Sequence, residues 1–147
     1  MNFHGMQINL LAAWIGMLLG FVSGLVLGLF FHREDWLGGY ASFRRRLYRL
    51  AHISLFGLGA VNLFFWLTVK MLPASGPLCA VASWAFVVGA ITMPIGCVVM
   101  AHWPKLHLIF SVPVVSLLVG GALTLVLVVG NHNFPTLNSQ PSTFHQP

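Results

Sequence analysis

The sequence predicts an all-α integral membrane protein, with four transmembrane helices in an antiparallel up-down bundle and both termini on the non-cytoplasmic side. Three observations carry that reading. Of the 147 residues, 58% are hydrophobic and only 6% charged, whereas soluble domains carry about 25% charged residues. Four apolar stretches, Met6–Phe31, Leu50–Leu72, Leu78–Ala101 and Leu108–Gly130, reach the roughly 20 residues that a helix needs to cross a bilayer. They do not alternate apolar with polar residues, as transmembrane strands would. Finally, the basic residues gather between the first two stretches, at Arg33, Arg44, Arg45, Arg46 and Arg49. Short loops rich in Lys and Arg stay cytoplasmic, so the connection 32–49 and the turn His102–His107 face the cytoplasm. The four helices form one domain over residues 1–130, and the polar segment 131–147, which contains Pro and Ser, reads as a flexible tail.

The first stretch is expected to remain as a helix. A cleavable signal peptide has a basic n-region and a short apolar core, whereas Met1–Asn9 carries no Lys or Arg and the apolar run is too long. Gly16, Gly20, Gly24 and Gly28 recur every four residues, with Ala12 one turn before them. Such a row forms a smooth ridge that a neighbouring backbone can approach closely. It predicts a contact surface toward another helix, a partner subunit or the edge of a flat cofactor.

The connection that follows turns at Asp35–Tyr40, through Trp36 and the Gly38-Gly39 pair. Residues 42–49 read either as an interfacial helix or as an inward extension of the second helix. Trp36, Tyr40, Tyr48 and Trp103 fall at headgroup level, where amphipathic rings settle. The second helix presents His52, Phe56, Gly59, Asn62 or Leu63, and Trp66 on one face at steps of three and four. Lipid penalises His52 and Asn62, so that face points inward.

Pro73, Gly76 and Pro77 mark the next turn. The third helix places Ala85, Gly89, Met93 and Cys97 on one row, with Pro94 expected to kink it. Met93 and Cys97 are soft ligands that suit copper, although both residue types are also ordinary apolar filling. Pro104 marks the last turn, and the fourth helix is expected to begin at His107 with Pro113 inside it.

Four histidines, His32, His52, His102 and His107, fall at one predicted depth on the cytoplasmic side. His4, His132 and His145 fall toward the other side. Imidazole at such a position can ligate a haem iron or another metal, or carry protons. The reading that joins most of these features is a small membrane subunit of a larger respiratory-type complex. It would bind b-type haem near the cytoplasmic face for electron transfer, with copper as the less favoured metal. His52 and His107 would be the axial pair, His102 a competitor, and Arg45 and Arg49 partners for haem propionates. The competing reading is a cofactor-free structural or assembly subunit packed through Gly16, Gly20, Gly24 and Gly28 against partner membrane subunits. A quinone or proton-handling site built from His52, Ser54 and Asn62 is a third reading, compatible with the haem one. A bacterial inner membrane is the expected location.

Other classes are disfavoured. No Asp or Glu lies inside a predicted helix, which argues against a proton-coupled carrier. Cys79 and Cys97 would stand about 27 Å apart on one helix and cannot pair with each other. No nucleotide, nucleophile-elbow or metalloprotease fingerprint is present. The net charge of +5 reflects topology and anionic lipid rather than nucleic acid.

Overall fold

The computed structural model describes residues 4–72 and 76–132. Four helices run in order: α1 (His4–Phe30), α2 (Phe43–Met71), α3 (Pro77–His102) and α4 (Ser111–His132). Short 3-10 segments at Trp36–Gly38 and Pro104–Phe110 lie in the first and third connections. All four helical spans, the fourth counted from Pro104, are long and apolar enough to cross a membrane. Their outward faces carry large exposed apolar side chains such as Leu18, Phe21, Leu25, Leu118 and Leu125, as a multi-pass membrane protein requires. Most of the expected tail, together with His145 and the Pro73 part of the second turn, lies outside the described residues.

The helix ends follow local chemistry. α2 begins at Phe43, seven residues before the apolar run, because Ser42 caps it by accepting the Arg45 backbone N–H. Residues 42–49 are therefore an extension of α2. With 29 residues, α2 is about 44 Å long and outreaches the roughly 30 Å hydrocarbon core. Gly38 and Gly39 have φ values of 86° and 94°, a backbone region that glycine enters without a Cβ clash. They turn the chain between α1 and α2.

α4 begins at Ser111, four residues later than the sequence suggests, because residues 104–110 wind as a 3-10 helix after Pro104. Pro113 consequently sits in the first turn of α4, where its missing N–H costs no helical bond. Pro94 lies inside the continuous helix α3.

Neighbouring helices are antiparallel. Gly16, Gly20 and Gly24 on α1 meet Gly59, Phe56 and His52 on α2, in reverse order. Tyr48 and Asn62 on α2 reach His102 and Phe86 on α3. Gly89 and Phe86 on α3 meet Leu117 and Gly120 on α4. The helices do not close a symmetric ring. α1, α2 and α3 all touch one another, and α4 packs along α3 without an extensive interface with α1. Phe65, Val69, Cys79, Ala82 and Phe86 form the buried core between α2 and α3, against which Leu117, Leu123 and Leu127 of α4 pack.

Polar contacts explain this asymmetry. Asn9 donates through Nδ2 to Asn62 Oδ1 at 2.8 Å and to the Ser83 carbonyl at 3.2 Å. Ser83 Oγ donates to Asn9 Oδ1, and Asn62 Nδ2 donates to the carbonyls of Leu58 at 2.9 Å and Phe86 at 3.3 Å. Asn9 and Asn62 are each fully buried, and both amides use both donor hydrogens. The cluster links α1, α2 and α3 in a medium that offers no competing water. On α4, Ser111 and Thr124 bond carbonyls of their own segment.

Two predictions follow from these contacts. Asn62→Ala leaves Asn9 with an unmet donor, and unfolding in mixed micelles should report a loss of about 1–2 kcal/mol. Thr92→Ala, which removes a bond only to Val88 within α3, should change stability by less than about 0.5 kcal/mol. Within the glycine row, a Cβ at Gly16 would lie 3.0 Å from the Leu55 carbonyl oxygen, whereas one at Gly28 meets nothing within 4 Å. Gly16→Leu should therefore cost at least about 1–3 kcal/mol in the same assay, and Gly28→Leu should be neutral.

Candidate functional site

α1 and α3 leave a long groove between them, floored by α2, with a cavity volume of about 870 Å³. Its walls include Leu11, Ile15 and Leu19 of α1 and Ile91, Ile95 and Val98 of α3, and its floor includes Ala51, Leu55 and Gly59. Lining residues on α1 run from Ile8 to Leu27, a rise of about 28 Å. The groove thus spans nearly the whole depth of a roughly 30 Å hydrocarbon layer. Small residues make the space: Ala12, Gly16, Ala51, Gly59 and Ala90 all line it.

Polar groups are few and concentrated toward one end. Ser23, Tyr48, His52 and Trp36 line the groove there, while Trp84 lies toward the other end. His52 is half-buried. Its Nδ1 lies 3.0 Å from Ser23 Oγ, and Ser23 Oγ donates to the Gly20 carbonyl at 2.9 Å. The imidazole occupies the notch above Gly24, where a Cβ would come within 2.8 Å of Cε1. On its other side the ring meets Phe56 edge-on, with centroids 5.4 Å apart. One turn earlier on α2, Tyr48 Oη lies 3.0 Å from His102 Nε2, joining the end of the groove to the exposed end of α3.

The histidines expected at one depth have different surroundings. His32, His102 and His107 are exposed, whereas His52 is seated between α1 and α2. His52 and His107 are not brought face to face. His52 meets Ser23 and Gly24 of α1, and His107 stands exposed in the 3-10 segment leading to α4, which packs on α3. The face of α2 that looks toward α4 is a different one, carrying Val61, Phe64, Phe65 and Thr68. Cys97 is fully buried and Met93 half-buried on α3. Among the described residues, no three His, Cys, Asp or Glu side chains gather as a metal site.

The arginines also differ from a ligand-facing pair. Arg45 is only 2% exposed. Its Nη2 donates to the Phe31 carbonyl at 2.7 Å and its Nη1 to the Arg33 carbonyl at 3.4 Å, the second shared with the Trp36 backbone N–H, so it ties down carbonyls just past the end of α1. Its guanidinium also sits 4.7 Å from the Tyr40 ring centroid and 5.8 Å from that of Trp36. Arg49 lies over Tyr40 at 5.2 Å. Arg45 thus serves as the hub of the first connection, with its donors turned toward the chain itself.

The expected trio of His52, Ser54 and Asn62 separates in the structure. Ser54 bonds the Ala51 carbonyl, and Asn62 belongs to the buried cluster with Asn9. The hydroxyl that joins His52 is Ser23, which sequence reasoning passed over. Its signal was its position inside the glycine row, next to Gly24 and one turn after Gly20. Asn9 had a similar signal, since steps of three and four carry the same face from Asn9 through Ala12 or Ala13 to Gly16.

Arg45→Met should release the connection 31–42, detected as faster proteolytic cleavage within it and a loss of about 1–3 kcal/mol. Arg44→Met, at an exposed position, should leave both unchanged. A comparison with known protein families, curated proteins and solved structures finds no match to this chain.

Proposed function

We propose that this protein is a small subunit of a membrane complex that holds a long-chain, membrane-soluble ligand in the α1–α2–α3 groove, with His52 contacting the ligand's head. The observation that carries this reading is the juxtaposition of a groove about 28 Å long with one anchored imidazole toward its end. A groove merely wetted by bulk lipid tails has no use for a half-buried histidine, because a polar side chain at membrane depth is costly. The arginine-rich end, with His52 just inside it, is assigned to the cytoplasmic side by the distribution of basic residues. A bacterial inner membrane suits this arrangement.

A second reading keeps the redox role expected from the sequence. His52 is held through one ring nitrogen by Ser23, and a ligating histidine is typically oriented by such a hydrogen bond to its other nitrogen. A b-type haem would then use His52 as one axial ligand and take the other from a partner subunit. The cofactor-free alternative draws its support from the Asn9–Asn62–Ser83 cluster and the glycine contacts, which hold α1–α3 together without a ligand.

The test uses a photoactivatable long-chain alcohol in membranes containing the full chain. Labelling should concentrate on residues lining the groove, such as Leu19, Ile91 and Ile95, and fall at least about fivefold in Ala90→Trp, whose ring would fill the slot. Labelling spread evenly over the exposed faces of α1 and α4 would reduce the groove to ordinary lipid contact. An optical spectrum of the dithionite-reduced protein separates the haem reading: a b-type α-band lost in His52→Ala would establish it.

A further inference from the structure

The two contacts of the Ser23 hydroxyl are both satisfied by only one tautomer of His52. A serine hydroxyl has one hydrogen to donate, and Ser23 Oγ directs it to the Gly20 carbonyl at 2.9 Å. For both contacts to be hydrogen bonds at once, the 3.0 Å one to His52 Nδ1 runs the other way, with Nδ1–H donating to Oγ. Neutral imidazole carries only one N–H, so Nε2 is left with a bare lone pair. Nε2 has no bonded partner among the described residues, and no buried side-chain nitrogen or oxygen among them lacks one. Nε2 is therefore accessible, on a residue that lines the groove. The ring cannot swing freely, because the Gly24 backbone and Phe56 hold its two sides.

The site thus offers a hydrogen-bond acceptor and asks for a donor. Its complement is a molecule with a hydroxyl on its head and one long apolar chain behind it. The aromatic surfaces of Tyr48 and Trp36 line the same end of the groove and suit a ring better than an aliphatic alcohol. We infer that the groove selects a long-chain hydroquinone over its oxidised quinone, with one phenolic hydroxyl donating to His52 Nε2 and the chain running along α1 and α3 toward Trp84. The oxidised ring has only carbonyl acceptors, which would meet the Nε2 lone pair without a bond. This inference rests on the groove being a ligand site and adds the class and redox form of its occupant.

The experiment measures saturable binding to the full chain in detergent, under anaerobic reducing conditions. The probes are decylhydroquinone, its dimethyl ether and 1-dodecanol. Decylhydroquinone should bind about five- to tenfold more tightly than the ether, as expected for one net hydrogen bond. His52→Phe should bring it down to the level of the ether, and Ser23→Ala should shrink the difference without emptying the groove. Ala90→Trp should weaken hydroquinone and ether alike. The ¹⁵N signals of His52 in the unliganded protein should show Nδ1 protonated and Nε2 bare.

Equal binding of hydroquinone and ether, with both lost in Ala90→Trp, would overturn the donor assignment while leaving the groove as a ligand site. Dodecanol binding as tightly as the hydroquinone, with the same dependence on His52, would overturn the aromatic head in favour of an aliphatic hydroxyl lipid. No saturable binding of any probe would overturn this inference and the groove reading together. The opposite His52 tautomer would overturn this inference alone.

Discussion

Inside a bilayer an unmet amide has no water to turn to, and this constraint organises the molecule. Asn9, Asn62 and Ser83 come from three different helices: Asn9 satisfies its donors on Asn62 and the Ser83 carbonyl, and Asn62 places its own on the carbonyls of Leu58 in α2 and Phe86 in α3. Apolar side chains alone would not specify that arrangement, since lipid tails solvate leucine as well as another helix does. The cluster therefore fixes which faces of α1, α2 and α3 meet, and the glycine row lets α1 approach α2 closely enough for those contacts to form. The groove is the geometric remainder. Where small residues line α1, α2 and α3 together, the helix surfaces do not fill the space between them.

His52 depends on this framework. The notch at Gly24 receives its ring, Ser23 holds one nitrogen, and Phe56 closes the side. Each of these residues belongs to the α1–α2 contact, so the orientation of the imidazole is a by-product of helix packing. The same economy appears at Arg45. A cation that would be expensive to bury is stabilised by carbonyls just past the end of α1 and by the rings of the connection it organises.

The four helices were legible because bilayer thickness writes itself directly into the length of an apolar run. The inward face of α2 was legible too, since steps of three and four joined His52, Phe56, Gly59 and Asn62. The start of α2 was left open because its first turns, Phe43–Arg49, are too basic to register as an apolar span, and the Ser42 cap decides the matter. Pairing across helices was much harder to read. Nothing in the spacing of His52 and His107 says that one looks toward α1 while the other stands in an exposed 3-10 segment. That depends on which helices are neighbours, a property of the whole molecule. Ser23 and Asn9 were overlooked for a related reason: isolated in an apolar run they look like tolerated polar residues, and only their partners give them a role.

The asymmetric packing of α4 has a consequence for biosynthesis. Among the described residues, the side-chain hydrogen bonds that join α1, α2 and α3 at the Asn9 cluster, at His52 and at Tyr48 are made by residues no later than His102 in the chain, and the central cluster is complete at Phe86. A chain emerging from N- to C-terminus can thus assemble the three-helix unit, with its imidazole already seated, before α4 is synthesised. The last helix then arrives at a finished surface on α3, and none of these hydrogen bonds has to break for it to dock.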